Sequence, residues 1–168
     1  MPLNLIKSYN QLLDFGAYND HQKKQSLLSV FNRDFAHNPN LSFKKKPIQP
    51  TPKNGEIPMA TLFTHLTTVV TDKTTRQRTF DSDRSCRLHW VRFHIDERKS
   101  DDILHFSVQE PEGIRTYIYD ITEKYVVILE PLKKVDAYYL LTAYYLIGKD
   151  AKRDKILQKY KRKLNAIH

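Results

Sequence analysis

Between Leu3 and Phe35 the apolar residues recur every three to four positions, the spacing of one face of an α-helix. Leu5, Ile6, Tyr9, Leu12 and Leu13 form one stripe, closed by Gly16. Leu27, Leu28, Phe31 and Phe35 form a second, behind Asn19 or Asp20, either of which suits an N-cap. Two such stripes predict a helical hairpin over residues 1–37. The period then dissolves. Residues 38–58 hold five of the eight prolines around the run Lys44, Lys45, Lys46. Proline lacks an amide proton and continues neither a helix nor a central strand. A linker or surface strap is expected there, leaving a body over residues 59–168.

The body opens with "MATLFTHLTTVVTD", whose element type the pattern leaves open. In "FDSDRSCRLHWVRFHIDERKS" Leu88, Val91 and Ile95 share a helical side behind Asp81 or Ser82 as cap, although the alternation "RLHWVRF" also permits a strand. Four β runs follow: "ILHFSVQE", "GIRTYIYDI", "KYVVILEP" and "AYYLLTAYYLI". The links after the first two are short, which makes neighbours antiparallel. The end, "KDAKRDKILQKYKRKL", reads as a basic helix with Ile156, Leu157, Tyr160 and Leu164 inward. The expected fold is α+β: N-terminal helices, a four-stranded antiparallel meander and a C-terminal basic helix.

Charge changes this picture more than composition does. Residues 1–58 carry +4, residues 59–148 carry −1 and residues 149–168 carry +6. A balanced middle with basic ends suits an anionic partner such as nucleic acid. The single cysteine, Cys86, excludes an internal disulfide and a thiolate zinc site. No apolar run approaches the roughly 20 residues of a membrane span, and "MPLNLIKSYNQLLDFG" lacks the pattern of a secretory signal. A cytoplasmic protein is expected.

Gly-rich phosphate loops, HExxH and GxSxG are missing, and four glycines argue against a dinucleotide fold. Side-chain types for metal-free RNA cleavage are present. That reaction needs a group near neutrality to move protons, which suits histidine. It also needs cations and hydroxyls for the charge on the phosphorane. His65 lies among hydroxyl residues in "LFTHLTT", and Arg78, Arg84, Arg87 and Arg92 crowd fifteen positions. On one continuous helix Arg84, Arg87 and His94 would converge. In the last β run a period of two puts Tyr138, Leu140, Thr142, Tyr144 and Leu146 on one face. Tyr139, Leu141, Ala143, Tyr145 and Ile147 then lie on the other. Tyrosines also favour strands for packing alone. Lys159, Lys161, Arg162 and Lys163 are candidates for phosphate contacts, with Arg87.

The order "HLTT", "RQRTFDSDRSCRLHWVRFHI", three strands closing on "EKYVVILEP", then "YYLLTAYY" resembles the barnase–EndoU–colicin–RelE nuclease superfamily. The likeness covers residues 59–147 and is nearest to phage-associated members and contact-dependent toxin domains. It implies a helical start, a four-stranded antiparallel sheet and a metal-independent endoribonuclease without cofactor, acting on tRNA or mRNA. By that likeness Thr142 with Tyr144 takes the place of a catalytic Thr–Tyr pair, His65 that of an early histidine, and Arg78 or Arg84 that of an arginine. No lysine takes a matching catalytic place. The N-terminal hairpin lies outside the likeness and is left to bind an antitoxin, an immunity protein or a second copy. The competing expectation is a non-catalytic nucleic-acid-binding or phage accessory protein, whose sheet aromatics stack bases. A third is a hairpin interaction protein whose charge serves solubility.

Overall fold

The computed structural model describes residues 3–168. The first expected helix does not form. Only Leu3–Ile6 turn, as a short 3-10 helix. The Ser8 amide and hydroxyl both donate to the Gln11 carboxamide oxygen, at 2.9 and 3.1 Å, a local bond that competes with the helical ladder. Ile6 and Leu12 stay 63% and 44% exposed while Leu5, Tyr9 and Leu13 pack on the core, so the stripe is split rather than presented as one helical face. Helix α1, Asp20–Phe31, does form behind Asn19. Asn19 accepts from the Gln22 amide and Gln22 accepts from the Asn19 amide, both at 2.9 Å, which satisfies two orphan donors at once. A π turn, Asn32–Ala36, continues it.

The proline-rich stretch contributes two short strands. β1, Ser42–Phe43, pairs antiparallel with β2, Lys46–Pro50. Helix α2, Pro58–Thr67, carries proline in its first turn, where the missing amide costs nothing. It runs directly into β3, Thr68–Asp72, which forms a hairpin with β4, Gln77–Phe80. The expected long helix after it is two. α3, Ser82–Ser85, is capped by Asp81, and α4, Leu88–Ile95, restarts after Arg87.

Strands β5 (Ile103–Glu110), β6 (Gly113–Asp120), β7 (Tyr125–Pro131) and β8 (Tyr138–Tyr145) each run antiparallel to the next. The sheet is larger than the four strands anticipated. Its order is β1-β2-β8-β7-β6-β5, and β2 lies parallel to β8, with Ile48 opposite Tyr138 and Pro50 opposite Leu140. The fold is α+β, and the described residues form six α-helices, a six-stranded mixed sheet and the separate β3–β4 sheet. The C-terminal helix is also two: α5, Gly148–Arg153, and α6, Lys155–Tyr160. Asp154 breaks them in the left-handed region at φ +42°. Its carboxylate caps α6 through the Leu157 amide and accepts from Tyr119 and Lys124, at 2.7–3.0 Å.

Each face of the sheet carries a core. One face holds Ile118, Tyr125, Val127, Leu129, Leu140 and Ala143 under α1, α2 and α4. The other holds Phe106, Tyr117, Tyr119 and Val126 under Ile156 of α6. Asp120 at the end of β6 ties the first layer together while wholly buried. His94 Nε2 stands 3.0 Å from its Oδ2, Lys99 Nζ donates at 2.9 Å, the Tyr9 hydroxyl at 2.9 Å and the Glu123 amide at 3.1 Å. Tyr9 also stacks on Phe93 at 3.8 Å between ring centres, and with Asn4, which donates to Ser26, and the buried Leu13 it anchors the non-helical N-terminal segment.

Burial works to raise the Asp120 pKa, but the bonds from His94, Lys99, Glu123 and Tyr9 outweigh it and hold the carboxyl far below the usual carboxylate range. A depressed folded-state pKa gives stability that is complete above the unfolded value of about 3.9 and is lost as pH falls through the folded value. Asp120→Ala should cost about 3–5 kcal/mol in urea unfolding, because it leaves the half-buried Lys99 ammonium, the buried His94 ring and the Tyr9 hydroxyl without their shared acceptor. Below about pH 4 the wild type should lose stability with acid more steeply than Asp120→Asn. Equal acid slopes would remove Asp120 from this role.

Candidate functional site

The site begins at the C-terminal end of α2. The last carbonyls of a helix have no intrahelical donor, and here each donor comes from a residue nearby in the chain. The Thr67 and Thr68 hydroxyls reach back to the carbonyls of Phe63 and Thr64, at 2.8 and 2.6 Å. The Thr67 carbonyl accepts from the Asp81 amide and the Ser85 hydroxyl. The His65 carbonyl accepts from Arg84 Nη1 at 2.8 Å. The Thr68 carbonyl accepts from Arg84 Nη1 at 3.2 Å and from Arg78 Nη2 at 2.9 Å. Arg78 Nε donates to the Thr68 hydroxyl at 2.8 Å. Two arginines from β4 and α3 are thereby held side by side next to His65.

The sheet brings the hydroxyls. β2 covers β8 only from Tyr138 to Leu140. Beyond that point α2 and α3 lie along β8. There β8 also bulges. Ile128 pairs with Thr142 but Leu129 pairs with Leu140, which leaves Leu141 unmatched. The bulge corrects the simple alternation. Tyr138 and Leu140 enter the same core as Ala143 and Tyr145, while Tyr144 packs against the opposite core. Thr142 Oγ1 lies 3.5 Å from Arg84 Nη1, and the Arg84 guanidinium stands 5.7 Å from the centre of the Tyr144 ring.

The structure thus gathers His65, Arg78, Arg84, Thr142 and Tyr144, all half-buried. Neither arginine forms an ion pair among the described residues, although Asp81 is near enough to Arg84 to favour its charge. Burial lowers the Arg84 pKa, and burial with the charges of Arg84 and Arg76 lowers that of Arg78. Arg84 Nε is buried without any partner. Burial, then the charge of Arg78, pushes the His65 imidazole below its ordinary pKa, against a hydrogen bond from the ring to the Leu141 backbone carbonyl that favours the charged form. Burial raises the Tyr144 phenol, so it remains a proton donor at neutral pH. The arrangement offers an imidazole held neutral, two cations without an ion pair among the described residues, and two hydroxyl residues, grouped about Arg84.

Other candidates lie elsewhere. Arg87 sits over Tyr145 at 3.9 Å and over Trp90 at 5.2 Å, outside the pair. His94 does not converge with Arg84 and Arg87, because the break between α3 and α4 turns it into the Asp120 network. Lys159 is occupied by Glu110. Lys161, Arg162 and Lys163 are exposed beyond α6. There the Leu164 amide bonds β5 at Ser107, three strand spacings or about 14 Å from β8. Thr68 and the Leu141 backbone were the contributors that residue type did not single out. The hydroxyl-rich "HLTT" carried the only trace of the first, and a bulge leaves no compositional mark.

Among the described residues no three His, Cys, Asp or Glu side chains gather as metal ligands, and no helix is long and apolar enough to cross a membrane. No protein-family profile matches the chain, and no curated protein or solved structure matches it.

Proposed function

We propose that the protein is a metal-independent endoribonuclease that cleaves RNA by transesterification at the Arg78–Arg84 pair. The observation that carries this is two adjacent half-buried arginines without a carboxylate partner, beside a histidine held neutral. Like charges brought together and dehydrated are costly unless an anion completes them. A scissile phosphate between the guanidiniums supplies that anion. Neutral His65 takes the ribose 2′-hydroxyl proton as the 2′-oxygen attacks phosphorus. The arginines offset the charge on the phosphorane. Thr142 holds a phosphate oxygen, and the Tyr144 phenol gives its proton to the leaving 5′-oxygen. A 2′,3′-cyclic phosphate and a 5′-hydroxyl result. A phage-associated or toxin-like role with an antitoxin or immunity partner, in the cytoplasm, belongs to this proposal. A second reading, RNA binding without cleavage, draws on the same arginines, since both spend donors on main-chain carbonyls and would hold a phosphate as scaffold.

Purified protein incubated with total RNA and EDTA should release discrete fragments ending in cyclic phosphate; bound but intact RNA would select the second reading. His65→Ala should slow cleavage by about 10²–10⁴-fold. Thr142→Val, which keeps shape and strand preference, should slow it by about 10²–10³-fold. A Thr142→Val enzyme at wild-type speed would reduce that residue to scaffold.

The pH profile checks the electrostatics separately. A base with a lowered pKa is active down to pH values below the ordinary histidine range of about 6.5. Arg78 is one cause of that lowering. Arg78→Gln should therefore move the acid limb of kcat/KM to higher pH, whatever it does to the plateau. An acid limb that stays put would mean that His65 is not the titrating base.

The basic tail runs along β5, three strands from β8, which suits contacts to flanking phosphates. Replacing Lys161, Arg162 and Lys163 by Gln should raise KM and flatten the salt dependence by about 0.7 in log–log slope per lost contact, while kcat is unchanged. An unaltered slope would leave the tail a solvated surface.

A further inference from the structure

We infer that the groove between α1 and α2 seats the nucleobase next to the phosphate held by Arg78 and Arg84. The inference rests on the arginine pair being a phosphate site, but not on cleavage. The groove has a volume of about 770 Å³, within the range of small-molecule sites. Leu28 and Phe31 of α1, Met59 and Phe63 of α2, and Phe80 of β4 line it. Its near end is formed by Thr64 and Thr68, and Thr68 is the residue whose carbonyl and hydroxyl hold both arginines. An apolar slot therefore ends at the residue that holds the cationic pair.

β4 sets the spacing. Arg78 and Phe80 are two residues apart and share one face of the strand, about 7 Å from each other along it. Phe80 is 44% exposed, unusually open for a phenylalanine in a folded chain. The ammonium of Lys23 stands 5.6 Å from its ring centre, and Phe15 meets it edge-on at 6.1 Å between ring centres. Lys23 and Lys24 mark the groove's outer rim, with Asp20 as its one carboxylate. A ligand that complements this surface is flat and apolar in the middle and anionic on either side. A nucleotide in single-stranded RNA has that form, since its base carries a π-face and its flanking phosphates carry charge. The Thr64 and Thr67 hydroxyls are spent on helix carbonyls, so the slot selects for stacking more than for base identity.

The test uses the full chain and a short oligonucleotide with a 2′-deoxy sugar at each position, which binds without being cut. An otherwise identical oligonucleotide with one abasic site and inorganic phosphate complete the set. The base-bearing strand should bind about ten-fold or more tighter than the abasic one at matched salt. Phe80→Ala should remove most of that difference while leaving phosphate binding intact. Phe80→Trp should restore it. Because Phe80 is exposed, loss of fold does not confound these variants, and a circular-dichroism melt confirms it. Equal affinity for base-bearing and abasic strands would overturn the inference, even if RNA is cleaved. A base-dependent gain without any cleavage of ribose-containing RNA would keep the groove and remove the nuclease. Concentration-dependent NMR shifts at Leu28, Phe63 and Phe80, with no base dependence, would overturn it in favour of self-association.

Discussion

The constraint on which the site depends is the unfinished C-terminal end of α2. A helix that passes straight into a strand cannot spread its last carbonyls over a coil, so donors have to be brought to them. Arg84 and Arg78 do this for His65 and Thr68. They arrive from separate elements, α3 and β4, that follow closely in the chain. Cations near the negative end of a helix are favoured, which offsets part of their mutual repulsion. The geometry that completes the helix is thus the geometry that packs two arginines against a histidine. Arg84 cannot leave without exposing the His65 carbonyl.

The second constraint is the short reach of β2. Had it paired along the whole of β8, the strand's outer edge would be closed and α2 and α3 would be displaced. It stops opposite Leu140, and the next residue bulges. Bulges re-aim side chains. This one turns Thr142 and Tyr144 out of the packing order that Tyr138 and Leu140 follow. It also leaves the Leu141 backbone to meet the His65 ring. A regular β8 would have placed Thr142 in register with the buried Leu140.

Much of the fold was legible in the residues, and the exceptions share a cause. The caps at Asn19 and Asp81 and the four β runs are local signals, and local physics decides them. The first helix failed because Ser8 and Gln11 bond each other and because Tyr9 is claimed by Asp120, 111 positions away. The C-terminal helix broke at Asp154 because Tyr119 and Lys124 compete for its carboxylate across about thirty positions. β2 was hidden by its prolines, which are tolerated in so short a strand. At the candidate site His65, the arginines, Thr142 and Tyr144 were legible as residue types, but their meeting point was not. It depends on a bulge and on helix carbonyls, neither of which has a side-chain signature.

Two buried polar clusters in this chain differ in a way that separates structure from function. At Asp120 every strong group has its complement: the carboxylate oxygens meet donors from His94, Lys99, Tyr9 and Glu123, and cation and anion are matched. Such a network is complete and specifies one packing. At Arg84 the match is partial. One guanidinium nitrogen serves two carbonyls, Nε is buried without a partner, and the group has no ion pair among the described residues although Asp81 and Arg78 both lie near it. Folding alone gains nothing from that imbalance, because a neutral side chain could cap the helix without carrying charge out of water. An unfilled electrostatic demand of this kind is one that an anion such as a phosphate would satisfy.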